Sequence, residues 1–289
     1  MKTSFRLHST FTIFASMIEF IRELFEFRFL GNAALACLLA GIACGIIGTY
    51  IVCRRLVFLS GGITHASFGG IGIAYYLGLN PIAGAGVFAV LSALSMEALS
   101  QRMKIREDSA IGILWSVGMA VGIIFVALTP GYAPNLMSFL FGNILTITQT
   151  DLIAMIALDI VLLVVFTLFY RPILYIAFDR NYARTQGLPV TLINSVMMVL
   201  VALTIVLSIR LVGIVLLISL LTIPPVIVNS VSRSYRKITV WSVLIAALGT
   251  FTGLFISYQT NIPSGASTII VLATALIVVK SIVYFSKKG

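Results

Sequence analysis

The sequence predicts an all-α fold, a polytopic bundle of transmembrane helices with about eight or nine spans. Three observations carry that reading. Of the 289 residues, 60% are hydrophobic and only 10% are charged, where a soluble domain carries about 25% charge. The mean hydropathy is +1.12. Apolar runs long enough to cross about 30 Å of hydrocarbon recur along the chain. These runs lack the apolar/polar alternation of barrel strands. A helix also satisfies its own backbone polar groups in lipid.

The elements follow in order. The first 29 residues form an N-terminal arm. Phe14, Met17, Ile18, Ile21 and Phe25 recur at helical spacing, while Glu19, Glu23 and Glu26 interrupt any cleavable signal. The arm reads as an interfacial amphipathic helix. Residues 30–289 form one transmembrane domain. Its spans are predicted at about 30–52, 57–77, 82–100, 109–129, 151–170, 190–209, 211–229, 238–257 and 265–285. The sixth and seventh are separated only by Arg210 and its neighbours, so eight crossings are the alternative. Cys37, Cys44 and Cys53 fall in or at the end of the first span and read as small buried hydrophobes. Gly41/Gly45, Gly118/Gly122 and Gly249/Gly253 are GxxxG pairs that allow close helix approach.

The net charge of +10 is topological. Arg54 and Arg55; Arg102, Lys104 and Arg106; Arg171, Arg180 and Arg184; Arg233, Arg236 and Lys237; and Lys287 and Lys288 fall in alternate connections and make 13 of the 19 basic residues. The intervening connections at 78–81, 130–150 and 258–264 hold none. The positive-inside rule puts the basic set in the cytoplasm, the C-terminus inside and the N-terminus outside. Lys2, Arg6, Arg22 and Arg28 of the arm depart from that pattern. Nucleic-acid binding is not indicated.

Few residues inside the spans can carry chemistry. His65 lies in Ser60-Gly61-Gly62-Ile63-Thr64-His65. Gly61 and Gly62 predict a loosened helix, and neutral imidazole is the commonest protein ligand for transition metals. A core histidine bonded to a backbone carbonyl is the alternative. Asp159 stands near the middle of the fifth span, where a carboxylate costs about 2.5–3.5 kcal/mol on insertion scales. It reads either as a metal or proton site or as a paired structural group. Asp151 reads as part of a helix cap. Pro224 and Pro225 predict an interruption of the seventh span.

Between the fifth and sixth spans, residues 178–189 read as a short, self-contained helix. Asp179 suits its N-cap, Gly187 its C′ position and Pro189 its stop. The dipeptide Gly-Lys never occurs, so no GxxxxGK[ST] loop exists, and no GxSxG or HExxH motif occurs either. The chain is therefore not expected to be an enzyme.

These landmarks together resemble the metal-ion permeases of ATP-binding cassette importers, the zinc/manganese/iron class. The resemblance runs from about residue 30 to 285. Its residues are Arg54-Arg55-Leu56 with Ile63-Thr64-His65-Ala66, Glu107 through Ile113, and Phe141-Gly142-Asn143-Ile144-Leu145. Further along they are Asp179 through Gly187 in the spacing Asp-x-x-x-Ala-x-x-x-Gly, Val212-Gly213-Ile214 through Pro224-Pro225, and Ile262-Pro263-Ser264-Gly265-Ala266.

The resemblance implies a multi-pass protein of the bacterial inner membrane. It implies a permease homodimer, cytosolic ATPase subunits that hold the ATP, and an extracytoplasmic metal-binding protein. No permanent cofactor is implied; the metal ion is cargo. Asp179, Tyr182, Ala183 and Gly187 would form the segment that couples to the ATPase, and His65 would be a transient ligand with Asp159 a second candidate on the path. Many members place an Asp four residues before this His; here that position is Gly61. A lone imidazole suits Zn²⁺ or Fe²⁺ better than Mn²⁺, so zinc is slightly favoured. A permease for a siderophore or cobalamin chelate and an ion-gradient-driven carrier are the competing expectations.

Overall fold

The computed structural model describes residues 16–103, 105–130 and 147–286. The expected external element Phe141–Leu145 and the first half of the arm, with Phe14, lie outside the described residues. The described chain is helical, with no strand.

The order is α1 (residues 16–26), α2 (Arg28–Cys53), α3 (Val57–Tyr76), α4 (Pro81–Arg102), α5 (Glu107–Leu128), α6 (Gln149–Leu168), α7 (Tyr170–Phe178), α8 (Arg180–Thr185), α9 (Val190–Asn229), α10 (Tyr235–Thr260) and α11 (Ser264–Ser286). Seven of the described helices are long and apolar enough to cross a membrane; α4 carries a shorter apolar stretch, Pro81–Met96. α2, α3 and α9 form the buried centre, while α5 and α11 are largely exposed at the margin.

The chain chemistry explains the ends. Asn80 caps α4 by accepting from the Ile82 and Ala83 amides, with Pro81 in the first turn. Thr148 and Asp151 form a reciprocal capping box on α6. Asn261 ends α10 in the left-handed region, at φ 57°, and Pro263 follows. Each GxxxG pair serves a different helix contact. A Cβ at Gly41 would come within 2.8 Å of Ala247 on α10, Gly118 faces Ala66 on α3, and Gly253 faces Thr268 on α11.

α9 is the unusual element. Its one non-helical residue is Gly213, at φ 77° and ψ 164°. Asn194 on its rising arm bonds Arg54 at the cytoplasmic end of α2. Val206, Ile209 and Arg210 border a small cavity with Ser67, Ile71 and Ile82, in the outer halves of α3 and α4. Ile218 then lies beside Gly61, and Leu221 beside Gly48, back in the cytoplasmic halves. The chain therefore climbs, reverses at Gly213 and returns. The nine crossings read from the sequence map onto α2 to α6, the two arms of α9, α10 and α11.

Two expectations are corrected here. Gly61 and Gly62 do not break α3, which runs without interruption from Val57 to Tyr76. Gly62 serves close packing instead, since a Cβ there would overlap the Ile111 side chain of α5. Pro224 and Pro225 do not interrupt α9 either; the break is at Gly213. The prolines leave the Leu220 and Leu221 carbonyls without their helical donors. Leu221's oxygen is pressed toward Gly48 on α2, so packing keeps the helical path.

The arm docks by Phe20, which is fully buried against Phe251, Phe255 and Tyr258 of α10. The Tyr258 hydroxyl donates to Glu23 at 2.6 Å. Met17, Ile18, Ile21 and Phe25 remain exposed. Cys37 and Cys44 are buried free thiols, and Cys53 is half-buried.

Candidate functional site

His65 lies on α3, half-buried. Its ring stacks on Trp115 of α5, with centroids 4.2 Å apart and planes 5° from parallel. Among the described residues neither imidazole nitrogen is engaged in a hydrogen bond or an ion pair. Gly61 stands one turn earlier on the same face. Trp115 Cζ3 would lie 3.8 Å from a Cβ at Gly61, and Ile218 Cδ1 4.0 Å. The indole thus spans the Gly61–His65 turn, and a Cβ at Gly61 would meet it at ordinary van der Waals distance. Phe58 flanks the same indole at 5.9 Å.

Asp159 is elsewhere. It is 4% exposed and shares the inward stripe of α6 with Leu152, Met155, Leu162 and Phe166. α6 packs on α2 and α9, whereas α3 packs on α4, α5 and α9. The helices bearing His65 and Asp159 therefore do not run along one another. Neither carboxylate oxygen of Asp159 has a hydrogen-bond partner among the described residues. No cluster of three or more His, Cys, Asp or Glu side chains occurs there.

The short cytoplasmic helix has the caps its sequence requires. Asp179 accepts from the Asn181 and Tyr182 amides at 2.8 and 3.0 Å. At the other end the Gly187 amide donates to Arg184 O at 3.0 Å and the Leu188 amide to Ala183 O at 3.2 Å. That pair is a Schellman motif, with Gly187 at φ 72°. Ala183 is fully buried against Ile176 and Val190. Tyr182 is exposed and sits edge-on to Tyr175.

Four features were not singled out from the sequence. Trp115 is one. The second is Asn194, whose buried Oδ1 accepts from Arg54 at 2.6 Å and from Arg180 at 3.4 Å, with the Tyr50 hydroxyl at 3.5 Å. It ties α2, α8 and α9 together. The third is the Arg210–Asp151 ion pair, 3.1 Å long, which gives the intramembrane arginine a partner. The fourth is the reversal at Gly213. Only the last had a local signal, the triplet Val212-Gly213-Ile214; the others join residues far apart in the chain.

A family model described as "ABC 3 transport family" matches residues 26–284. Manganese transport system membrane protein MntC of Halalkalibacterium halodurans is 32% identical over 260 residues, covering 90% of this chain and 89% of that protein. Manganese import system permease protein ScaB of Streptococcus gordonii is 31% identical over 259 residues, covering 90% and 92%. Among solved structures, PsaBC from Streptococcus pneumoniae in complex with Fab superposes with a TM-score of 0.81 at 30% identity, covering 91% of this chain and 95% of that one.

Proposed function

This chain belongs to the ABC 3 transport family, and from that membership we propose that it is the membrane permease of an ATP-driven importer of divalent transition-metal ions. The observation that carries the reading is the pairing of two features in one bundle. One is an intramembrane histidine with uncommitted nitrogens. The other is a capped cytoplasmic helix tied through Asn194 to the spans. The chain has no phosphate-binding loop, and ATP hydrolysis belongs to a separate subunit in this family.

His65 is assigned as a transient ligand of the ion. A path must bind weakly enough to release, and a single imidazole does so. The Trp115 indole covers one face of that ring, so an ion is approached along the ring edge, where the nitrogens are. Asp159, an unpartnered carboxylate, is a second candidate for contact with the ion. It lies apart from His65, so the two do not share one ion in this arrangement. The relatives named for manganese favour Mn²⁺ as cargo. The lone imidazole, with no carboxylate one turn away, favours Zn²⁺ or Fe²⁺.

His65 stands half-buried at the margin of the single chain, on Trp115, whose indole is flanked by exposed Phe58. A second copy facing that margin would enclose the path, which supports a homodimer. A cytosolic ATPase and an extracytoplasmic metal-binding protein complete the assembly. Metal accumulation in importer-deficient cells expressing all three proteins tests this reading, with Mn, Zn and Fe counted together. One ion accumulated, and lost with an ATPase-dead partner, is the expected result. Accumulation that survives the dead ATPase would refute it.

We assign Asp179, Tyr182, Ala183 and Gly187 to the segment that meets the ATPase. Gly187→Val places a β-branched residue at φ 72°, a conformation costing about 1–2 kcal/mol for L residues. Expected is at least a five-fold loss of ATP-driven uptake in proteoliposomes at equal permease level. An ion-gradient-driven carrier, which needs no such segment, would keep its rate.

A further inference from the structure

A cleft of about 700 Å³ opens between α2, α6 and α10. It touches neither His65 nor the 179–187 segment. Its walls are apolar: Ile42 and Ile46 of α2, Leu163 of α6, and Val240, Val243 and Leu244 of α10. Leu163, Val240 and Leu244 are exposed, so the cleft opens sideways, toward lipid. Its depth follows from topology. The lining residues belong to the cytoplasmic ends of α6 and α10, so the cleft lies within the inner leaflet.

The cytoplasmic mouth differs from the walls. Tyr170, Tyr235 and Arg236 border it. Arg236 is exposed and forms no ion pair among the described residues. Tyr235 is 5% exposed and packs beside Tyr170, with ring centroids 6.0 Å apart. Its hydroxyl has no hydrogen-bond partner among the described residues, a costly condition for a buried polar group. Arg171, Arg233 and Lys237 neighbour the mouth in sequence, and residues 160–178 and 230–258 contain no Asp or Glu.

We propose that this cleft binds one anionic phospholipid of the cytoplasmic leaflet. The acyl chain lies along the apolar wall. The phosphate is held by Arg236, which is exposed at the mouth. An apolar slot within the range of small-ligand pockets, with a basic mouth on the cytoplasmic side, is the geometry that holds lipid head groups between spans. The surplus of positive charge selects an anionic head group over a zwitterionic one.

The test is native mass spectrometry of the permease with its ATPase, purified in mild detergent and exchanged into phosphatidylglycerol or phosphatidylcholine. Expected is one phosphatidylglycerol retained per permease after delipidating washes, with phosphatidylcholine retained at least five-fold less. Arg236→Ala should lower phosphatidylglycerol retention at least five-fold. Val240→Trp, which fills the slot from an exposed position, should remove both lipids while the complex stays monodisperse. Equal retention of the two lipids, retention unchanged by Arg236→Ala, or no retained lipid would each overturn the proposal. So would a cross-link between two copies through Leu244→Cys, which would give the cleft to a second chain.

Discussion

His65→Ala is expected to lower the initial rate of metal uptake at least ten-fold at unchanged permease abundance, corresponding to about 1.4 kcal/mol or more. The imidazole supplies the one pair of uncommitted ring nitrogens on the proposed path, and no cluster of ligating side chains occurs among the described residues to replace it. The fold should survive. The side chain is half-buried, and its packing partner is a single indole, a contact worth about 0.5–1.5 kcal/mol. Radiometal uptake, with permease quantified in the same membranes, reads the effect. His65→Phe separates the two functions of the ring. It keeps the stack on Trp115 and removes the nitrogens, so it should fail to transport while matching the wild type in thermal stability. Wild-type uptake by either variant would remove His65 from the path.

Gly213→Val is expected to abolish assembly rather than activity. At φ 77° and ψ 164° the backbone occupies a region open in practice to glycine alone. A β-branched residue there must move the backbone or open the reversal. The reversal also sets the depth of everything on both arms, including the Arg210–Asp151 pair three residues before it. Expected is loss of the monodisperse peak in detergent and a several-fold fall in permease recovered from membranes. Gly213→Ala should show the same defect in milder form. Normal yield and melting temperature for both variants would mean that the turn is not fixed by this residue.

Much of the fold was legible because bilayer thickness dictates helix length and loop charge dictates direction. The local chemistry of residues 179–189 was legible too, since caps depend on neighbours in sequence: Asp179, Gly187 and Pro189 do what their types suggest. The misread positions share a cause. Gly61, Gly62, Pro224 and Pro225 weaken helices where water or freedom competes for the backbone. In a packed bundle such residues can serve close approach, as Gly62 does to Ile111 and the Pro225 turn to Gly48. The break at Gly213 was placed at Arg210, because a charge between apolar runs looks like a boundary; Arg210 instead has a carboxylate 59 positions back in the chain to pair with. Of the candidate site, only His65 was legible. Its indole cover comes from a helix 50 residues away, and no local pattern announces such a pair.

The folded-back α9 has a mechanical consequence. One prong is rooted at Asn194, where the cytoplasmic helix is fastened through Arg180. The other prong carries Ile218 to the wall of the Gly61–His65 turn. Both prongs meet at the single residue Gly213, so a lateral push at the first root reaches the second without passing through any longer loop. On the proposed roles of residues 179–187 and His65, a stroke delivered at the inner surface would change the width of the space beside His65, with Gly213 as the fulcrum.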